Sequence, residues 1–599
     1  MSKILAVIVT YNGAEWLRYC LQPFVEKREG IDVMVVDNAS TDHTVELIHR
    51  HYPFVEVVER QANGGFGNAN NIAMEQALVR GYQGVMLINQ DAQCSTQVIE
   101  TLAERTTLDP TIGIASPLHY NDLSYTQLDR AFRSYDIPSH TSAAFTPTPF
   151  INAALWYIPR QTLERVGIFC PLFFHYGEDL DYCHRVVAEG LQVGFYPDLQ
   201  AAHLRPDAPP SADKQKRLSF AFHLAEMTHP SLPSWKRIWR GVGLSMANAL
   251  IKWNSGYLHN AHTLWRMRYE IRLWNKRPAP DVEGLQRCLE RRTEAPVLLL
   301  VYNRPQHTAQ LLQDLFLQPE AEATPIFILS DGAKSEADRE AVEQVREICR
   351  HYLGPHLQLR EQATNVGLAH NVVAGIQWVL QRYDRIIVLE DDLRLAPYCL
   401  RWMNDALDCY ERDSSVAHIH AGSFYTHPWL PKLPNNHRLS FVGSWGWGTW
   451  RNRWQRYWEP SGEKLLEQMK RSPEVMALFD HGGAMPFSRM LRKQVIGEND
   501  SWAVRWHASL LLHQKVSINA YPPLVTNTGF DGTGTHSGGG GRYHTALAPY
   551  PLYAKASSAA TQEMHGYDPI AQRHLQRYYR YFNSKLVKGY YKLRELLHL

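Results

Sequence analysis

Along this chain the apolar positions gather into short, almost unbroken runs rich in β-branched residues, each ending in a polar turn and followed by a stretch of helical period. The runs "ILAVIVTYNG" (4–13) and "VLLLVYNRP" (297–305) both break at a Tyr-Asn pair. Runs of this kind, bounded by turn residues, predict buried strands. The plan continues in both halves in one order. "VMVVDNASTD" (33–42) answers "IFILSDGAKSEAD" (326–338), each a strand, an Asp-bearing turn and a helical pattern. "QANGGFGNANNIAMEQAL" (61–78) answers "QATNVGLAHNVVAGIQWVL" (362–380), each a Gly/Asn loop feeding a helix. "GVMLINQDAQCS" (84–95) answers "RIIVLEDDLRLAP" (385–397), each a strand running into carboxylates. Asn71 and Asp91 stand 20 residues apart, as do Asn371 and Asp391, so the register of the repeat holds to about one position.

Strands alternating with helices in this order predict βαβ units, hence an α/β fold with two mainly parallel sheets in tandem, each covered on both faces. Such sheets bind ligands at the carboxyl ends of their strands, which is where all the polar clusters lie. Asn, Asp and Gly also make ordinary turns. Four clusters in one order, twice, point instead to two ligand sites.

At 599 residues the chain is too long for a single core. The expected divisions are an N-terminal domain at 1–210, a helical linker at 211–292, a C-terminal domain at 293–545 and a basic amphipathic tail at 546–599. A net charge of +2 argues against a generic nucleic-acid binder. Eight cysteines without a CxxC pair suggest neither a zinc knuckle nor a disulfide framework, and fit a reducing, cytoplasmic compartment. The N-terminal run is too short for a signal peptide, and no later run is long enough to span a membrane.

The carboxylates after the fourth strand carry the strongest chemical signal. Glu390, Asp391 and Asp392 repel one another unless they meet solvent or a cation. Mg²⁺ and Mn²⁺ prefer oxygen ligands and are often shared between carboxylates and substrate phosphates. Asp37 and Asp331, just after the second strands, are placed to accept hydrogen bonds from a base or ribose. A second acidic cluster follows in each half. "FFHYGEDLDYCHRV" (173–186) holds Glu178, Asp179 and Asp181 beside an aromatic run, and "IGENDSWAVRW" (496–506) holds Glu498 and Asp500. A carboxylate against an apolar wall suits a general base, and an Asp at either place would equally cap a helix. His203 and His536 follow these clusters as candidate further ligands.

Taken as a set, "VTYNG", "VVDNASTD", "NGGFGNANNIA", "NQD" and "FFHYGEDLDYCHR" resemble the family-2 inverting glycosyltransferases of the GT-A fold, particularly rhamnosyltransferase-like members, over about residues 3–206. The resemblance implies that Asp37 contacts the nucleotide, Asp91 the metal, Asp179 is the base, and His203 a further metal or diphosphate contact. Thr10, Asn12 and Asn63 fall in the same motifs and are expected at the nucleotide-sugar, and Glu178 at the acceptor. Asn89 stands where the first acid of the metal-binding triplet would be. The second half, about 295–540, resembles another GT-A group, distantly similar to the N-acetylglucosaminyltransferase I type, through "LVYNRP", "LSDGAK", "NVGLAHNVVAGI", "VLEDDL", "SWGWGTWRNRW", "NDSWAVRW" and "NTGFDGTGTH". There Tyr302, Asn303, Asp331, Asn365 and Asp391 are implied at the nucleotide-sugar, Asp392 and His536 at the metal, and Asp500 as base. Trp445, Trp447 and Trp502 are expected at the acceptor, since flat rings stack on sugar faces.

The implied cofactor is a divalent metal, Mg²⁺ or Mn²⁺. The implied partners are dTDP- or UDP-sugar donors and a glycan or lipid-linked glycan acceptor, with no nucleic acid. Segments 235–253 and 262–277, and the tail 571–599, mix aromatic and basic residues at helical spacing. Such helices either cover a domain with their aromatic stripes or lie on anionic lipid. Covering is the expectation for the middle segment. The tail leaves room for peripheral contact with the inner membrane surface. Three functions compete. The first is a bifunctional inverting transferase building a bacterial surface polysaccharide. The second has one active half, with the other as a binding or scaffolding module. A nucleotidyltransferase is the third, although "VTYNG" has no nearby Lys for a phosphate loop.

Overall fold

A computed structural model describes residues 3–26, 29–137, 142–205, 211–251, 253–422, 433, 436–530, 545–555, 566–584 and 587. His536 lies outside them. The chain divides into two compact units, Met1–Leu289 and Glu290–Leu599.

The strands of the first unit are β1 (Ile4–Thr10), β2 (Ile31–Asp37), β3 (Glu56–Glu59), β4 (Gly84–Asn89), β5 (Ala92–Gln93), β6 (Ile112–Tyr120), β7 (Thr146–Pro147), β8 (Leu155–Pro159) and β9 (Gln192–His203). They form one sheet ordered β3-β2-β1-β4-β8-β6-β9-β5, with β7 also on β9. β1 to β4 pair in parallel, β8 runs against β4, and β6 is parallel to β9. Ile4, Ala6 and Ile8 of β1 share one face with Val33, Val35, Met86 and Ile88, under Ile99 and Leu102 of the helix Thr96–Leu108. The alternate residues Leu5, Val7, Met34 and Leu87 are equally buried, and the helix Gly65–Val79 packs on β1 and β2. Burial on both faces is why these strands read as continuous apolar runs.

The second unit repeats the plan with β10 (Val297–Val301), β11 (Ile326–Ser330), β12 (Leu357–Glu361), β13 (Arg385–Glu390), β14 (Leu393–Leu395), β15 (Val416–His420), β16 (Asn436–Leu439), β17 (Trp447–Trp450), β18 (Val516–Ala520) and β19 (Val525–Asn527). Its main sheet runs β12-β11-β10-β13-β17-β15-β18-β16, with β14 and β19 paired apart. Seven successive positions thus match the first sheet in order and direction. The expected tandem of mixed, mostly parallel α/β sheets is what the chain forms.

Burial and packing bear on three of these expectations. Trp447 and Trp502 are fully buried and stacked on each other at 5.0 Å, inside a cluster with Trp454 and Trp506. They present no face to a sugar, so they are core residues rather than acceptor contacts. The tail helix Pro569–Phe582 turns its apolar side inward: Ala571, Leu575, Tyr578 and Tyr579 pack on Leu439 and Phe441, leaving Ile570 and Tyr581 exposed. The helices between Ala212 and Leu289 belong to the first compact unit rather than standing apart. Among the described residues no helix is long and apolar enough to cross a membrane.

Trp447→Ala should therefore lower unfolding stability by about 3–5 kcal/mol in denaturant titrations. An unchanged midpoint with a raised acceptor KM would return Trp447 to the acceptor site.

Candidate active site

The loop after the first strand is tied to the acidic triplet by one backbone contact, made the same way in each unit. The Tyr11 amide donates to Gln90 Oε1 at 2.9 Å, and the Tyr302 amide to Asp391 Oδ2 at 3.2 Å. The sheet register agrees, since Val9 faces Asn89 and Leu300 faces Glu390. Asn89-Gln90-Asp91 and Glu390-Asp391-Asp392 are therefore equivalent position by position. The sequence spacing, which set Asp91 against Asp391, was off by one.

A one-residue offset also separates the acids of the second strands. Thr10 faces Asp37 whereas Val301 faces Ser330, so Asp331 matches Asn38. Asn38 Oδ1 accepts from the Gly64 amide at 3.0 Å and its amide group donates to Gly65 O at 3.2 Å. Asp331 does the same work more strongly, accepting from the amides of Gly332 (2.8 Å), Val366 (2.9 Å) and Gly367 (3.0 Å) and from Asn365 Nδ2 (3.0 Å). These residues clamp the Gly/Asn loop onto the strand end, and a nucleotide contact by Asp331 or Asn365 would have to share atoms already in use. Asp37 is engaged differently, by Thr10 Oγ1 at 3.0 Å and the Ser40 amide at 2.8 Å. Asn12 accepts from the Thr41 amide at 2.8 Å, Asn63 from the Gly65 amide at 2.9 Å, and Asn303 donates to Asp338 at 2.9 Å.

The last acid of each triplet meets a different cation. In the first unit β5 pairs Ala92 with His203, bringing His203 Nε2 to 3.5 Å from Asp91 Oδ1. The other ring nitrogen faces the buried Asp129 at 3.5 Å, and Asp129 is held bidentately by Arg205 at 2.8 and 2.9 Å. Burial opposes the imidazolium, but Asp129 and Asp91 outweigh it and hold His203 above its ordinary value. Burial likewise pushes Asp91 up, and His203 and Arg205 outweigh it downward. In the second unit β14 pairs Leu393 with Asn527, so Asn527 occupies the register position of His203. The amides of Leu204 and Thr528 donate to the carbonyls of Asp91 and Asp392, both at 2.8 Å, which confirms the equivalence. The charge partner there is Arg304, with Nη1 at 3.0 Å from Asp392 and 3.8 Å from Asp391. Asp129, Arg304 and Asn527 had no signal beyond their places in "TQLDRAF", "YNRP" and "VTNTG".

Among the described residues no three His, Cys, Asp or Glu side chains converge as metal ligands. The second triplet is nonetheless short of positive charge. Burial first, then the charges of Asp392 and Asp391, push Glu390 up; burial, with Asp392, outweighs Arg304 and pushes Asp391 up. Asp392 Oδ1 is buried without a hydrogen-bond partner, as is Asn89 Oδ1 at the first triplet. An oxygen-rich, underneutralised set with an orphaned oxygen fits a divalent cation of the Mg²⁺ or Mn²⁺ class.

The two remaining acidic clusters differ. The helix Glu178–Ala188 starts from Gly177, whose φ is +84° and which gives no side-chain cap, so the acids do not cap it. Asp181 is bound to Arg185 at 2.8 Å in the core. Among the described residues Glu178 and Asp179 have no such ion pair. Burial, with the charge of Asp179, pushes Glu178 up, and burial pushes Asp179 up against its backbone hydrogen bonds. Their loop is held against the Gly/Asn turn: a Cβ on Gly65 would lie 1.7 Å from Phe174 O. Asp500, by contrast, precedes the helix Trp502–Leu512, with its side chain 68% exposed and 3.5 Å from Arg505. Trp445, unlike Trp447 and Trp502, is only half-buried, with its ring 5.7 Å from that of Phe530.

The sequence model of the family described as Glycosyl transferase family 2 matches residues 5–166 and 297–491, more than half the chain. This chain belongs to glycosyl transferase family 2. Both units carry the family domain, including the half whose motifs had suggested a separate GT-A group. Among curated relatives, an N-acetylglucosaminyl-diphospho-decaprenol L-rhamnosyltransferase of Mycobacterium tuberculosis is 24% identical over 235 residues, covering 34% of this chain and 76% of that protein. A teichoic acid poly(glycerol phosphate) polymerase of Staphylococcus epidermidis is 23% identical over 124 residues, 20% of this chain and only 16% of the polymerase. A mannosyltransferase from Pyrobaculum calidifontis, solved with GDP-mannose and Mn²⁺, aligns at 20% identity and a TM-score of 0.28, covering 46% of this chain and 83% of that one.

In these two family-2 domains the acid pair of the first should be visible in stability. Glu178 and Asp179 have raised values when folded, so the native state keeps protons that the unfolded chain has released. Unfolding free energy of the first unit should fall as pH rises from the ordinary carboxylate range through the raised values, and Glu178→Gln should flatten that slope. Urea titrations at stepped pH that show the same slope in both proteins would remove the assignment.

Proposed function

We propose that the protein is a bifunctional inverting glycosyltransferase that moves sugars from dTDP- or UDP-sugar donors onto a growing lipid-linked bacterial surface glycan. The observation that carries this reading is the repeated frame: the same amide-to-triplet and amide-to-carbonyl contacts hold Asp91 and Asp392 at equivalent strand ends. A lipid-linked acceptor is supported by the rhamnosyltransferase relative, whose name gives a diphospho-decaprenol substrate.

In the first domain Asp179 takes the proton of the acceptor hydroxyl, a role its raised affinity for protons suits. Glu178 beside it orients that hydroxyl. Inversion follows from a single displacement with the base opposite the leaving group, through an oxocarbenium-like transition state. Asp91 with His203, and Asp392 with Asp391, would hold a divalent cation, and His536 belongs to the same expected set. When bound, the cation supplies Lewis-acid neutralisation of the nucleoside diphosphate. Thr10, Asn12, Asp37 and Asn63, with Tyr302, Asn303, Asp331 and Asn365 in the second domain, shape the walls around the donor. Asp500 is the base of the second domain, drawing on solvent exposure rather than burial.

A second reading keeps one active half. It is favoured by a specific contrast: Arg304 already occupies Asp392, and Asp500 is exposed on Arg505, whereas in the first domain the buried Glu178 and half-buried Asp179 make no ion pair among the described residues. On that reading the first domain is the enzyme and the second binds glycan.

Asp91→Asn and Asp392→Asn decide between them when products are scored by mass. Bifunctionality predicts that each variant loses one of two sugar additions, by roughly a hundredfold or more in rate, and retains the other. Loss of all transfer in Asp91→Asn with Asp392→Asn unchanged would establish the single-site reading.

A further inference from the structure

The helices that follow the first domain are built inside out. In the run Ser234–Ile238, Trp239–Gly243 and Leu244–Ile251 the buried positions are Gly241, Ser245 and Ala249, all small. Gly241 lies so close to the helix Ala212–Thr228 that a Cβ there would meet Met227 Cγ at 2.2 Å. The large apolar residues point the other way: Trp235 is 68% exposed, Leu250 76% and Trp253 94%, with Trp239 and Met246 between them at helical spacing. Leu258, Trp265 and Tyr269, spaced i, i+7 and i+11, extend the exposed set over the next helices, Gly256–Arg266 and Arg268–Trp274. A helix of a water-facing surface buries its large apolar residues and exposes polar ones. Small residues inward and large apolar residues outward is the arrangement of helices whose outer face meets lipid.

Charge points to the same occupant. From Ser234 to Arg272 the chain carries seven Lys or Arg and one acid, Glu270, against a net charge of only +2 for all 599 residues. Lys236, Arg266 and Arg272 are exposed beside the aromatic positions. One helix of this layer also reaches the acid-pair loop: a cavity of about 530 Å³ is lined by Phe173 and Phe174 of that loop, Lys216 and Arg217 of the helix Ala212–Thr228, and His259 and Thr263 of the helix Gly256–Arg266.

We propose that the helical layer between Ser234 and Trp274 lies in the interface of an anionic lipid bilayer, its aromatic residues among the acyl chains and its cations on the headgroups. The layer bridges that surface and the acid-pair loop, and the proposal rests on the lipid-linked reading only for its purpose, since binding to lipid needs neither donor nor acceptor. The middle segment was expected to cover a domain, and the tail left room for membrane contact; the middle segment does pack inward through its small residues, but its large apolar residues face out, whereas the described tail helix packs its apolar side inward.

The full chain should co-sediment with vesicles of phosphatidylcholine and phosphatidylglycerol in equal parts, and much less with phosphatidylcholine alone. Replacing Trp235, Trp239 and Trp253 together by Ser should weaken binding roughly tenfold or more, because each inserted ring removes apolar surface from water. Lys236→Glu, Arg266→Glu and Arg272→Glu together should abolish the preference for phosphatidylglycerol, and added salt should mimic them. Unchanged unfolding midpoints will show that both variants fold. Binding to neither vesicle, binding that the Trp variant leaves unchanged, or a dimer that this variant splits would each overturn the proposal, the last by making the occupant a second copy. If vesicles bind while no lipid-linked product forms, the docking surface stands and the acceptor reading falls.

Discussion

Both domains are organised around the cost of gathering carboxylates at the end of a buried parallel strand. Like charges in a partly desolvated site drive one another toward the neutral form unless a cation lies among them. The first domain lowers the charge in its triplet, with Asn89 and Gln90 in place of acids, and sets a protonatable His203 against the one that remains. The second domain keeps all three acids and brings in Arg304 from the neighbouring strand end. The first solution leaves a titratable imidazole beside Asp91, and the second leaves a fixed guanidinium beside Asp392.

The rest of each site is fitted to that strand end by backbone contacts rather than by side chains of fixed type. The amide after the first strand binds the middle of the triplet, whether Gln or Asp stands there. The residue after the second strand clamps the Gly/Asn loop, whether it is Asn38 or Asp331. Gly65 is required because its positive φ and its approach to Phe174 O leave no room for a Cβ, and that approach seats the loop carrying Glu178 and Asp179. The helix Ala212–Thr228 supports the same loop from the other side, where Gly177 abuts Ala221. The helical segment thus packs on the loop that carries Glu178 and Asp179.

Much of this was legible in the chain. A strand buried on both faces must be apolar at nearly every position, and a turn must break it, so six central strands, three in each half, and the order of the polar clusters could be read directly. The repeat identified the strand ends that carry Asp91 and Asp392, and the family motifs drew attention to Asp179 and His203 as candidates. The pairing of positions between the halves could not be read to better than one residue, because loops absorb an extra residue without changing the pattern on either side. Only the hydrogen-bonded register shows that Asp331 answers Asn38 and that Asn527 stands where His203 does.

The sequence by itself determined two α/β sheets in tandem and the carboxylates at their strand ends, because local period and turn chemistry are written residue by residue. Tertiary structure alone decided which cation each carboxylate meets and which aromatic residues are core. Trp447 and Trp253 have the same side chain; one is stacked among other rings and the other stands almost wholly in solvent. Such differences depend on what packs against a position from distant parts of the chain, and no local pattern carries that information.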